Sequence, residues 1–228
     1  MNKCELLIFD WDGTLADSIG RIVQAMHLAA AESGLPRLDD ALVKGIIGLA
    51  LPDAIARLYP QLTSGASIEV FRQRYSEHYL ALEHQPSPLF PGVVEWLERF
   101  REQGMLLAVA TGKSRRGLDR MLASCRWERY FDITRCADET AGKPDPLMLD
   151  EILVHCGKRA DQAVMVGDSV FDLQMAQRAR MEAVAVSYGA QAPEVLAQYS
   201  PQRIINRFEE LGAWLAARNA CEVERYVG

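Results

Sequence analysis

No apolar stretch in this sequence is long enough to span a bilayer, which excludes a helical membrane protein. The first residues, Met1-Asn2-Lys3-Cys4-Glu5, carry no signal-peptide pattern and lead directly into a strand. No CxxC pair occurs among the scattered cysteines Cys4, Cys125, Cys136, Cys156 and Cys221. An odd number of dispersed thiols does not suggest a disulfide framework, so reduced cysteines in a cytoplasmic protein are expected. There is no basic run: 25 basic against 31 acidic residues give a formal charge of −6. Neither nucleic acid nor an acidic membrane is therefore an expected partner. Internal repeats and low-complexity segments are also missing. What remains is an ordinary globular composition, 49% hydrophobic and 25% charged. The length permits one large domain, or a domain with a substantial insertion.

The stretch that organises the chain is Ile8-Phe9-Asp10-Trp11-Asp12-Gly13-Thr14-Leu15. The apolar run Leu6–Phe9 reads as a buried strand. Two carboxylates follow it, two positions apart. Acids at the end of a buried strand are costly without a partner. A hard divalent cation suits them, because such ions take carboxylate and carbonyl oxygens. Gly13 lets the chain turn sharply away.

After Leu15 the pattern becomes helical. Asp17 or Ser18 is expected to cap a long helix that stops at Gly34 and Pro36. A second helix is expected over Asp39–Ile47, a third over Asp53–Leu58 with Pro52 in its first turn, and a fourth over Ile68–Glu83. No strand pattern occurs between Ala16 and His84. The segment His84–Gly92 holds three prolines and reads as a linker. Beyond it, helices and strands alternate. Strands are expected at Met105–Ala110, Ile133–Ala137, Ala163–Val166, Ala183–Val186 and Arg203–Ile205. Helices are expected at Val93–Gln103, Arg115–Cys125, Pro146–His155, Asp172–Arg180, Pro193–Gln198 and Phe208–Ala217. Continuous apolar strands alternating with helices predict a parallel sheet covered on both faces, hence a doubly wound, Rossmann-like α/β fold.

Open α/β sheets bind ligands beyond the carboxyl ends of their strands. The first strand ends in Asp10, with Asp12 beyond. The second ends in Thr111-Gly112-Lys113. The third is followed by Gly142-Lys143-Pro144-Asp145-Pro146. The fourth ends in Gly167-Asp168-Ser169, with Asp172 shortly after. Each alone could be a cap or a loop residue. Together, in order at the same end of separate strands, they point to one site.

These motifs, DWDGT from Asp10, Thr111 after an apolar strand, Lys143 in GKPDP and GDSVFD from Gly167, resemble those of the haloacid dehalogenase-like hydrolase superfamily. The likeness covers nearly the whole chain and is greatest to the phosphoglycolate phosphatase-like branch, through FDWDGTLADS, LFPGVVEWL, AVATGK and the GKPDP block. Trp11 departs from the leucine or phenylalanine more usual there. The resemblance implies a core domain of residues 1–15 and 88–228 and a four-helix cap domain of residues 16–87. Asp12 implies phosphoryl transfer, since the dehalogenases lack this second aspartate.

On this resemblance Asp10 is the expected nucleophile, Asp12 the acid and base, and Thr111 and Lys143 the groups that meet phosphoryl oxygens. Magnesium is the expected cofactor, on the Asp10 side chain, the Asp12 backbone carbonyl and Asp168. Gly112, Ser169 and Asp172 are supporting candidates. The cap is expected to close over the site. Gly45–Pro52 is the stretch expected to reach down, and Lys44 and Arg57 could meet an acidic leaving group.

The expected activity is that of a phosphoric monoester hydrolase acting on a small phosphorylated metabolite such as 2-phosphoglycolate. An inorganic pyrophosphatase, a nucleotide phosphatase or a β-phosphoglucomutase-like mutase would use the same machinery, and a non-enzymatic regulator could keep the fold. Monomer and dimer are both open.

Overall fold

Every residue of β1, Leu6–Phe9, is buried. Its neighbours are β2 (Leu106–Thr111) and β4 (Ala163–Gly167), and both pair with it in parallel. The computed structural model describes residues 3–83 and 86–226, with residues 221–226 described by backbone alone. The expectations for His84 and Gln85 of the linker, and for the thiol of Cys221, lie outside these residues or side chains. With β3 (Ile133–Cys136), β5 (Glu182–Val186) and β6 (Arg203–Ile205), the strands form one sheet in the order β3-β2-β1-β4-β5-β6. All its pairings are parallel. The strand order reverses direction between β1 and β4, which is where such a sheet opens a crevice.

Successive residues of a strand point to opposite faces. Leu7 and Phe9 enter one buried cluster with Val109, Leu97 and Phe208. Leu6 and Ile8 enter another with Ala108, Met165 and Ile152. Burial on both faces explains why these strands read as continuous apolar runs. The covering helices are α5 (Val93–Glu102), α6 (Arg115–Cys125), α7 (Leu147–Cys156), α8 (Val170–Arg178), α9 (Pro193–Ala197) and α10 (Glu210–Tyr226). The last runs well past its expected end at Ala217.

Between β1 and α5 lie α1 (Ile19–Glu32), α2 (Asp40–Lys44), α3 (Leu51–Leu58) and α4 (Gly65–Ala81). Their apolar sides form a third cluster that includes Ile22, Met26, Ile55, Tyr59, Phe71 and Tyr79. The two connections to the sheet run antiparallel beside each other. Asp17 N–H donates to the Pro88 carbonyl at 2.8 Å, and Phe90 N–H donates to that of Leu15 at 3.0 Å.

Three expectations are corrected here. Ser18 stands at the N-cap of α1 but makes no side-chain cap bond, because its hydroxyl donates to Asp12 instead. α2 ends at Lys44 rather than Ile47, and Gly48 then takes a φ of +105°. α4 begins at Gly65 rather than Ile68, because the Ser64 hydroxyl accepts the Ser67 N–H.

Candidate active site

Asp10 continues β1 by one residue. Its N–H donates to the Val166 carbonyl at 3.0 Å, so its backbone is fixed by the sheet. Its side chain is buried at the carboxyl edge. The chain then turns at Gly13, whose φ is +80°. A Cβ at Gly13 would sit 2.1 Å from Asp168 Oδ2, so the DGT turn and the end of β4 touch directly. Trp11 points the other way, into the core, with its ring 6.4 Å from that of Trp127. Its departure from the family pattern is thus a packing matter, away from the acids.

Lys143 reaches this edge from the loop after β3. Its Nζ lies 2.8 Å from Asp10 Oδ1 and 2.6 Å from Asp172 Oδ1, with all three side chains buried. Asp172 belongs to the first turn of α8, where it and Ser169 cap each other reciprocally. The Ser169 hydroxyl donates to Asp172 Oδ2 at 2.7 Å. Asp168 is gripped from two sides: the Thr14 hydroxyl donates to Oδ1 at 3.1 Å and the Ala190 N–H to Oδ2 at 2.6 Å. Thr111, the last residue of β2, is buried, and its Oγ1 accepts the Lys113 N–H at 3.2 Å. Asp10, Thr111, Lys143, Asp168, Ser169 and Asp172 therefore gather at one sheet edge.

The electrostatics of this edge are unbalanced. The Lys143 ammonium pairs with Asp10 and Asp172, while Asp168 adds a third carboxylate to the cluster. Burial pushes the Asp10 carboxyl up to about 7, against the pull of Lys143. Burial, then the Asp10 and Asp172 charges, raise Asp168 well above the usual carboxylate range. Burial works against the Lys143 ammonium, but Asp10 and Asp172 more than offset it and raise its pKa. Among the described residues, Asp10 Oδ2 is buried with no hydrogen-bond partner. One ligand atom from each of Asp10, Asp168 and Asp172 lies within 4.8 Å of the others. An oxygen-only donor set, an orphaned carboxylate oxygen and surplus negative charge fit a hard divalent cation. The Asp12 side chain stands apart from this cluster.

Sequence reading places Lys113 at the end of β2 but gives it no role. Its Nζ lies 2.9 Å from Asp12 Oδ1. The signal was its place directly after Thr111-Gly112. Asp12 and Lys113 open onto a cleft of about 820 Å³ that Leu49, Tyr75, Tyr79 and Arg116 also line. The stretch Gly45–Pro52 meets the sheet edge here. A Cβ on Gly112 would lie 2.6 Å from the carbonyl oxygens of Gly48 and Leu49, and one on Gly48 would lie 2.7 Å from Ser169 Oγ. Lys44 is exposed, and Arg57 lies 5.7 Å from the Phe171 ring; neither lines the cleft.

The sequence model of the haloacid dehalogenase-like hydrolase family matches residues 7–186. The chain is 34% identical to the "Probable phosphatase IndB" of Dickeya dadantii, over 90% of this chain and 91% of the relative. It is 32% identical to a phosphoglycolate phosphatase of Aliivibrio fischeri, over 93% of this chain and 96% of the relative. Among solved structures it is similar to a haloacid dehalogenase-like family hydrolase of Streptococcus pneumoniae, with a TM-score of 0.80, 25% identity, and 94% and 99% of the two chains covered.

Proposed function

Because this chain belongs to the haloacid dehalogenase-like hydrolases and is a phosphatase of that family, we propose that it hydrolyses a small phosphate monoester, 2-phosphoglycolate being the first candidate, through an aspartyl phosphate on Asp10 and with magnesium. The observation that carries the reading is the meeting of Asp10, Lys143 and Asp168 at the switch point of the sheet, with Asp10 2.8 Å from Lys143. The substrate candidate rests on the named activity of relatives such as the A. fischeri enzyme.

A phosphate ester resists attack because its anionic oxygens repel a nucleophile, so positioning and charge neutralisation do most of the work. A carboxylate oxygen of Asp10 attacks phosphorus while the ester P–O bond breaks. Lys143 holds the other side of Asp10 and faces the phosphoryl oxygens with positive charge. The Thr111 hydroxyl donates a hydrogen bond to one of those oxygens. Asp12 gives its proton to the departing oxygen. It then takes a proton from the water that opens the acyl phosphate, which frees phosphate and restores Asp10. Asp10, Asp168 and the Asp12 carbonyl would hold magnesium, with Asp172 in support, and the bound ion would neutralise phosphoryl charge and keep Asp10 ionised.

Residues 16–87 act as a cap in this reading. The loop of Gly48 and Leu49 sets the wall nearest the leaving group. The test is phosphate release with magnesium across 2-phosphoglycolate, pyrophosphate, nucleoside monophosphates and hexose phosphates. A preferred monoester is expected. No release from any of them would overturn the reading.

A further inference from the structure

Asp12 is held from outside the acid cluster. Its Oδ1 accepts a hydrogen bond from the Ser18 hydroxyl at 2.5 Å and lies 2.9 Å from the Lys113 ammonium. The side chains of Asp12 and Lys113 are each only 12% exposed, so the pair is largely withdrawn from solvent. Lys113 is in turn held by α4. Its ammonium lies 5.1 Å from the Tyr79 ring centroid and 3.5 Å from the Tyr79 hydroxyl. Tyr79 is fixed by its own neighbours: Tyr75 at 5.9 Å between centroids, and the Arg21 guanidinium 5.7 Å from its ring. Just past α4, Glu83 accepts from Arg120 of α6 at 3.0 Å and from Arg21 at 3.4 Å. The end of α4 is thereby tied to the same helix that Lys113 introduces.

A lysine side chain has many rotamers, and it points where its ammonium is satisfied. Here satisfaction comes from a carboxylate on one element and an aromatic ring on another. Take either away and the other partner loses its direction. Ser18 alone fixes one oxygen of Asp12 and leaves the carboxylate free to turn about that contact.

We propose that Lys113 and Tyr79 form a positioning pair that sets the orientation of the Asp12 carboxylate, so that the acid–base group is aligned only while α4 lies against the end of β2. This rests on the acid–base role proposed for Asp12 above. In this role Lys113 acts through Asp12 as a positioning residue. The helical insertion then does more than cover the site: it completes the proton-transfer geometry.

The experiment compares an alkyl phosphate with p-nitrophenyl phosphate, whose leaving group departs without a proton. For each, kcat, KM and the single-turnover rate of leaving-group release are measured with magnesium. Asp12→Asn provides the reference, with a large loss on the alkyl ester and little loss in p-nitrophenol release. Lys113→Met is expected to lower alkyl-ester kcat by about 10–100-fold, with KM little changed and p-nitrophenol release retained. Lys113→Arg restores most of the activity, and Tyr79→Leu reproduces part of the loss. Adding Lys113→Met to Asp12→Asn costs nothing further. Equal losses in the single-turnover release from both esters, a raised KM with intact kcat, or losses that multiply in the double variant would overturn the pair. If Asp12→Asn itself showed no dependence on the leaving group, the acid–base role would fall, and the pair with it.

Discussion

The ammonium of Lys143 stands 2.8 Å from Oδ1 of Asp10, and both side chains are buried. The same ammonium is 2.6 Å from Asp172. One cation thus stabilises two carboxylates that water cannot reach. Removing it strands both, and a buried ion pair that loses one partner is destabilised by about 3–5 kcal/mol. Lys143→Met is expected to show a loss of that size in chemical denaturation, together with loss of turnover. Wild-type stability in this variant would contradict the pairing.

Gly112 has no room for a side chain. Its Cβ would meet two backbone carbonyls, those of Gly48 and Leu49, at 2.6 Å. Backbone cannot move aside as a flexible side chain can. Gly112→Ala therefore pushes the 48–50 loop away from Thr111, at about 1–3 kcal/mol for overpacking. A higher KM for the hydrolysed ester and a lower melting temperature are expected. An unchanged KM would mean that this loop does not wall the substrate.

Much of this site was legible because its residues punctuate strands. Asp10, Thr111 and Asp168 each end an apolar run, and the runs are continuous because both faces of the sheet are covered. Lys143 was legible from its motif in the loop. Lys113 was not, since nothing in a local pattern says that its ammonium will meet Tyr79, 34 positions earlier on α4. That contact depends on how the insertion sits against the sheet. Ser18 shows the reverse failure. Its sequence context signals a helix cap, but its hydroxyl is taken by Asp12 in the folded chain. The early start of α4 follows from Ser64, a cap residue that the apolar pattern beginning at Ile68 concealed.

If magnesium occupies the proposed site at Asp10 and Asp168, it stabilises the folded protein, because this acid cluster is assembled only in the fold. At a hundred times its dissociation constant, a ligand specific to the folded state adds about 2.7 kcal/mol. A rise in melting temperature with magnesium is expected. Asp168→Asn should abolish that rise while the circular dichroism spectrum stays wild-type. Asn can accept the Ala190 N–H on its amide oxygen and donate its NH2 to the Thr14 hydroxyl, which turns to accept, without a buried charge. An undiminished magnesium effect in this variant would remove Asp168 from the metal site.

Burial pushes the Cys4 thiol up to about 11 and that of Cys136 to about 12, from an ordinary value of 9.0. At pH values between the ordinary and raised figures the folded state holds protons that the unfolded state has released. The stability linked to Cys4 is therefore complete below about 9 and is lost as pH rises toward about 11. Denaturation midpoints should fall across that range. In mild alkylation near neutrality, Cys125 and Cys156, which are only partly buried, should label before Cys4 and Cys136. Early labelling of Cys4 would contradict its burial.

The central claim is that Asp10 carries the phosphoryl group between the two halves of the reaction. The direct measurement uses Asp12→Asn, in which the second half is slowed. The variant is mixed with magnesium and p-nitrophenyl phosphate, quenched in acid, and analysed by intact mass and peptide mapping. One phosphoryl group per chain, located on the peptide that contains Asp10 and absent from Asp10→Asn, is the expected result. No phosphorylated chain, or a phosphoryl group on another residue while the wild-type enzyme turns the ester over, would contradict it.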